Sequence, residues 1–168
     1  NPHPSTDEMN LVYKAALRAP DHAWLRPSKF IEVTGKGLDK LSKIFTNYIK
    51  DINDDLNDLI IQKYKNAPYR APMIIVLITN IKEHPKVPAI EQMLSTATAA
   101  QNILLALNAL NYGAIWRTGK VSLNNEISKY FNLDKNSKIL GYIYVGTPII
   151  EPKKIPDINI DDFVTKWK

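Results

Sequence analysis

The segment "EQMLSTATAAQNILLALNALNYG", residues 91–113, constrains the fold more than any other stretch of the chain. Met93, Ala97, Ala100, Ile103, Leu104, Leu107 and Leu110 recur at helical spacing, which predicts one long helix. Small residues fill most of its first half. They leave room for another backbone or a flat ligand to come close, and tight helix packing in the core would use them equally well. Gly113 is placed to end the helix as its left-handed cap. A second constraint is "MIIVLIT", residues 73–79, bounded by Pro72 and Asn80. It is continuous and rich in β-branched residues, the pattern of a strand buried on both faces.

The remaining elements fall around these two. After an extended "NPHP", Ser5-Thr6-Asp7-Glu8 has capping-box spacing, and Met9, Leu11, Val12, Ala15 and Ala16 form an apolar helical face up to Pro20. "FIEVT" (30–34) reads as a strand and Gly35-Lys36-Gly37 as a turn. Leu38, Leu41, Ile44, Phe45, Tyr48 and Ile49 predict the next helix, and a further helix is expected over 54–65. "AIWRT" (114–118) is a strand, Ser122 is placed to cap the helix "LNNEISKYF", and "ILGYIYVG" (139–146) is the last strand. From Thr147 the chain is proline-spaced and ends in Phe163 and Trp167. That tail is too apolar to float free and too rich in proline for a core helix. It is expected to wrap its own domain or to pack on a neighbouring subunit. Periodicity alone gives about four strands and five helices in a mixed α/β arrangement, in one domain over 1–168.

Composition removes several classes of chemistry. There is no cysteine, so disulfides, thiolate nucleophiles and iron–sulfur clusters are excluded. The three histidines, His3, His22 and His84, share no metal-ligand spacing, and no metal site is expected. The 22 basic and 17 acidic residues give a net charge of +5, compatible with nucleic acid, a membrane surface or a small anion. Lysines are interspersed with acids, however, and the densest basic cluster is only Lys153-Lys154, so a solvated mixed surface is favoured. No signal peptide opens the chain and no apolar run reaches spanning length, which makes the cytoplasm the expected location. GxGxxG, GxxxxGK[ST] and GxSxG are all absent. The acid pairs Asp54-Asp55 and Asp161-Asp162 lie in polar runs and read as solvated. Either the chain is not an enzyme, or a bound cofactor carries its difficult chemistry.

Two stretches narrow that choice. "RAPDH" (18–22) and "GAIWRTG" (113–119) resemble signature segments of the nitroreductase family, in particular its short YdjA-type members. Between them, "HPKVP" and "EQMLS" look like the same subgroup, and "ILGYIYVGTP" is similar to the family's last core strand. The resemblance runs in order along nearly the whole chain. It implies an α+β nitroreductase-like fold, with a central mixed or antiparallel sheet flanked by helices and a C-terminal tail reaching onto a dimer partner. It further implies a homodimer with FMN at the subunit interface, each flavin touched by both chains. NADH or NADPH would deliver hydride to FMN, and a nitroaromatic, quinone or similar small acceptor would then take it in a ping-pong scheme. The flavin would carry the redox chemistry, so no catalytic side chain is assigned.

By the same resemblance, Arg18 and His22 match FMN-contacting positions. A guanidinium can pair with phosphate or with the flavin's pyrimidine oxygens, and an imidazole can hydrogen-bond or stack. Without the resemblance, Arg18 is a cation at a helix C-terminus and His22 a turn residue in solvent. Trp116, Arg117 and Thr118 match a second FMN-contacting stretch, with Arg117 as phosphate partner, Thr118 as a hydroxyl donor and Trp116 acting through its backbone. Ala106, Leu107, Asn108, Ala109, Leu110 and Asn111 align with a segment sometimes assigned to NAD(P), although they read as core packing. Two departures stand out. The N-terminal helix with an Arg-Arg-Ser type motif is expected to be missing from this chain, which begins after that point. Where many members have Gln-Pro-Trp, this chain has Arg26-Pro27-Ser28, which adds charge and removes a packing surface beside the site. Other flavin chemistry on this scaffold, such as dehalogenation or flavin breakdown, and a flavin-free module for anions or nucleic acid remain alternatives.

Overall fold

The computed structural model describes residues 2–53, 56–149 and 154–168. In chain order the elements are α1 (Thr6–Ala16), β1 (Ser28–Thr34), α2 (Lys36–Asp51), α3 (Asp58–Asn66), β2 (Met73–Asn80), α4 (Ala89–Ala109), β3 (Gly113–Arg117), α5 (Asn125–Tyr130) and β4 (Ser137–Gly146). Short 3-10 turns occupy His22–Trp24, Ala67–Arg70 and Ile160–Asp162. The sheet has the order β1-β2-β4-β3, with every neighbouring pair antiparallel.

The apolar run of β2 makes it an inner strand. Ile74, Val76 and Ile78 face one layer, with Phe45, Tyr48 and Ile49 of α2 and Ile127 of α5. Met73, Ile75 and Leu77 face the other, with Met9, Val12 and Ala16 of α1 and Ile103 and Leu107 of α4. Period-two alternation thus serves two cores at once, each buried Ile or Leu contributing roughly 1.5–3 kcal/mol. The fold is α+β, helices covering both faces of an antiparallel sheet.

On α4 the buried face is Gln92, Ser95, Thr96, Ala99, Ala100, Ile103 and Leu107. Its small residues are used for packing against the sheet and α1, and Asn102 Nδ2 donates to the Ala15 carbonyl at 3.1 Å. Met93, Ala97, Leu104 and Leu110 are only partly buried, one step round from the expected face.

Several boundaries differ from expectation for local reasons. The α1 helix ends at Ala16, three residues before Ala19-Pro20, because Leu17 already leaves helical geometry at its C-cap. Gly35 (φ +49°) is the N-cap of α2, so Lys36 and Gly37 lie within the helix and not in a turn. The third helix begins at Asp58 behind an Asn57 cap; Asp54 and Asp55 lie outside the described residues. Asn111 (φ +64°) takes the left-handed position after α4, and Gly113 opens β3. Asn is the non-glycine residue best able to do this. Asn124, not Ser122, caps α5; Ser122 is buried and donates to the Gly119 carbonyl at 3.2 Å.

Residues 154–168 of the tail do not wrap their own domain. They are exposed throughout, Phe163 at 77% and Trp167 at 95%. Lys153 lies outside the described residues; Asp161 and Asp162 are exposed, as expected.

Candidate functional site

The connection from α1 to β1 is built on backbone strain. Ala23, Trp24 and Arg26 all have positive φ (58°, 55° and 52°), a conformation that costs each non-glycine residue on the order of 1 kcal/mol or more. The sequence compensates locally. Asp21 accepts the Arg26 backbone N–H on its carboxylate at 2.8 Å and the Trp24 N–H on its carbonyl at 3.2 Å. The Arg26 guanidinium lies 5.0 Å over the Trp24 ring. The Asn80 N–H donates to the Pro27 carbonyl at 2.8 Å, fixing the loop to the sheet.

This bracing holds His22 outward. His22 Nδ1 is 2.8 Å from Glu91 Oε2, so Nδ1–H donates to the carboxylate and Nε2 is left without a partner among the described residues. Glu91 sits in the first turn of α4. Arg18, just past α1, is exposed and has no ion pair among the described residues.

The second segment forms the other edge of the sheet. Trp116 Nε1 donates to the Leu140 carbonyl at 3.3 Å, and its ring packs against the α1/α4 core. Arg117 projects from the opposite face, its guanidinium 5.9 Å from the Tyr144 ring centroid. Thr118 and Gly119 (φ +111°) follow, exposed. Arg117 and Thr118 border a recess of about 300 Å³ that also receives Lys63, Arg70 and Lys120. Burial pushes the Tyr144 phenol above its ordinary value, and Arg70 and Arg117 pull it back.

The six residues at the end of α4 have different duties. Leu107 is fully buried, Ala106 and Leu110 pack on the core, and Asn111 forms the left-handed exit. Asn108 and Ala109 are exposed.

Within one chain these groups are not brought together. Arg18 and His22 precede β1 at one edge of the sheet, while Trp116, Arg117 and Thr118 lie on or just past β3 at the other. From Glu91 to Ala106 the helix α4 rises about 22 Å. No hydrogen bond or ion pair among the described residues joins the two sets. Asp21 and Glu91, which hold the loop, lie inside the quoted "RAPDH" and "EQMLS" segments, but no local spacing marks them as its braces. Lys63, Arg70 and Lys120 carry no spacing signal; only the fold gathers them.

Comparison with known proteins gives a consistent picture. The model of the nitroreductase family matches residues 1–147. The chain is 33% identical over 167 residues to the Escherichia coli K12 protein named "Putative NAD(P)H nitroreductase YdjA", covering 98% of this chain and 89% of that one. It is 30% identical over 166 residues to a Haemophilus influenzae protein named "Putative NAD(P)H nitroreductase", with the same coverage. Among solved structures, a nitroreductase-like family protein from Bacillus cereus superposes with a TM-score of 0.79 at 20% identity, over 99% of this chain and 87% of that one. A Desulfovibrio desulfuricans protein, described as a putative nitroreductase in complex with FMN, gives 0.73 at 17% identity, over 99% and 88%. At such identities these two structures speak for the fold alone.

Proposed function

The chain belongs to the nitroreductase family, an oxidoreductase assignment, and from that premise we propose that it is an FMN-dependent NAD(P)H oxidoreductase acting on small acceptors such as nitroaromatics or quinones. The observation that carries this reading is the 33% identity along 98% of the chain to a relative named as an NAD(P)H nitroreductase.

The donor set suits the cofactor. Arg18 and Arg117 offer exposed guanidinium groups, Thr118 a hydroxyl, and the outer edge of β3 its backbone groups. Phosphate and pyrimidine oxygens are the acceptors such donors fit best. His22, its Nδ1–H given to Glu91, presents Nε2 of the neutral ring as an acceptor for a flavin N–H. Bound FMN would supply the ring that receives hydride and returns it. The protein's part is then positional. Glu91 fixes the His22 ring, the Asp21 bonds hold the strained loop, and the Trp116 bond to Leu140 locks the strand that carries Arg117 and Thr118. NADH or NADPH and then the acceptor would use one slot in turn. Ala106–Asn111 stand as a weaker proposal for nicotinamide-nucleotide contact, through the exposed Asn108, Ala109 and Asn111.

The two donor groups lie on opposite sheet edges, which supports a homodimer in which one chain's Arg18 and His22 meet the other's Arg117 and Thr118. The exposed tail, with Phe163 and Trp167, is proposed to pack on that partner.

The test is the visible spectrum of the protein supplied with FMN, followed by NADH or NADPH without oxygen. The expected result is retained flavin absorbance that bleaches with the reduced nucleotide. A protein that retains no flavin sinks the reading.

A further inference from the structure

The recess beside β3 gathers four cations from distant points of the sequence: Lys63 of α3, Arg70 of the 3-10 turn before β2, Arg117 of β3, and Lys120 beyond it. No Asp or Glu among the described residues lines it. Among the described residues none of the four has a carboxylate oxygen within 4.0 Å. Like charges assembled without counterions repel one another, and the arrangement becomes favourable when an anion enters.

The walls are aromatic. Tyr144 is 6% exposed, with Arg117 5.9 Å from its ring centroid, and Lys63 lies 5.9 Å from the ring of Tyr64. Arg70 and Arg117 both line the recess beside Tyr144, and both hold down the rise of its phenol, so the two guanidinium groups lie within electrostatic reach of the same ring. A volume of about 300 Å³ is generous for a bare oxyanion and admits a ring behind it. Guanidinium groups grip carboxylates through paired hydrogen bonds, and rings stack on or edge against tyrosines.

We infer that this recess recognises the carboxylate of a small, single-ring aromatic ligand. Resting on the flavin reductase reading, the inference also names the acceptor class: aromatic acceptors bearing an anionic group, whose charge falls to Arg70, Lys63 and Lys120 where Arg117 is taken up by the flavin. A compact recess with aromatic walls suits a small molecule better than the extended phosphate track of a nucleic acid, which needs a stripe of cations.

The experiment uses the full chain loaded with FMN and measures equilibrium binding of benzoate by calorimetry, with benzyl alcohol as the neutral control. Benzoate is expected to bind more tightly than benzyl alcohol by about tenfold, and to weaken as salt is raised. Arg70→Gln and Lys63→Gln are each expected to reduce benzoate affinity, Arg70→Gln by about tenfold, with thermal melting unchanged. FMN affinity should stay as in the parent protein.

Equal binding of benzyl alcohol, or benzoate affinity unmoved in both variants, overturns the inference. So does a different pattern, in which Arg70→Gln weakens FMN but not riboflavin; the recess would then hold the cofactor's own phosphate. Failure of the flavin reading is separable. It would appear as absent FMN binding, and benzoate titration of the flavin-free chain would still report on the recess.

Discussion

At position 141 an added Cβ would stand 2.3 Å from Trp116 Nε1 and 2.6 Å from the Arg117 carbonyl oxygen, on a backbone with φ of +142°. The register explains the crowding. Leu77 faces Gly141 and Ile78 faces Ile139, so Leu140 is bulged out of the β2–β4 ladder, and its carbonyl is free to accept the Trp116 indole. Gly141→Ala is therefore expected to lower stability by about 2–3 kcal/mol and to weaken FMN retention, read by thermal melting and by flavin fluorescence. A variant as stable and as yellow as the parent would mean that the Trp116 segment is not held in this way. A glycine inside "ILGYIYVG" is unusual for a strand, but nothing local points to Trp116, 25 residues earlier, as the side chain it makes room for. The same holds for Ala23, Trp24 and Arg26. None of these residue types favours positive φ, so the strained loop is set by Asp21, Glu91 and the sheet, and local sequence conceals it.

Among elements, α1 was legible because its signal is local. Ser5 Oγ accepts the Glu8 N–H at 3.3 Å, and the Ser5 N–H donates to the Glu8 carboxylate at 2.7 Å, as the spacing indicated. The Ser5 backbone N–H first, and then the Ser5 hydroxyl, which donates to the same carboxylate at 2.8 Å, hold the Glu8 carboxyl below its ordinary 4.5. A group depressed in the folded state contributes stability above its unfolded value, and that contribution fades as pH falls through the folded value. Ser5→Ala is expected to cost about 1 kcal/mol near neutrality through the lost cap. It should also flatten the acid limb below about pH 4.5 in part, since the backbone N–H at position 5 still donates to Glu8, measured by melting across pH 3–7; an unchanged acid limb would refute the contribution of the Ser5 hydroxyl. The long helix α4 was legible in existence but not in phase. Its apolar residues lie on two sides. Ala99, Ala100, Ile103 and Leu107 meet the core, while Ile90, Leu94 and Leu105, at 55%, 59% and 60% exposure, lie on an outer stripe. Two apolar faces blur the periodicity that would reveal either one.

That outer stripe belongs to the scale of the assembly. Ile90, Leu94, Thr98, Gln101 and Leu105 follow one another at helical spacing on the solvent side of α4, with Leu11 and Leu17 also exposed near the end of α1. An apolar surface of this kind marks an interaction site. Replacing both Leu94 and Leu105 by Glu is expected to yield a folded monomer that no longer retains FMN, seen by sedimentation and absorbance; a monomer that keeps its flavin would separate the cofactor from the dimer. The sharper test uses the separation of the site's two halves. Arg18 and Arg117 stand on opposite edges of one sheet, so a shared site must take one from each copy. Arg18→Ala and Arg117→Ala homodimers should each bind FMN weakly. When the two are unfolded together and refolded, random pairing makes half of the dimers mixed. Each mixed dimer has one site with both arginines intact and one with neither, so about one quarter of all sites recover parental affinity. If both arginines reached the flavin from the same chain, every site in the mixture would lack one of them and no tight class would appear. A binding isotherm with a high-affinity fraction near one quarter thus distinguishes a flavin shared between two chains from one held by a single chain.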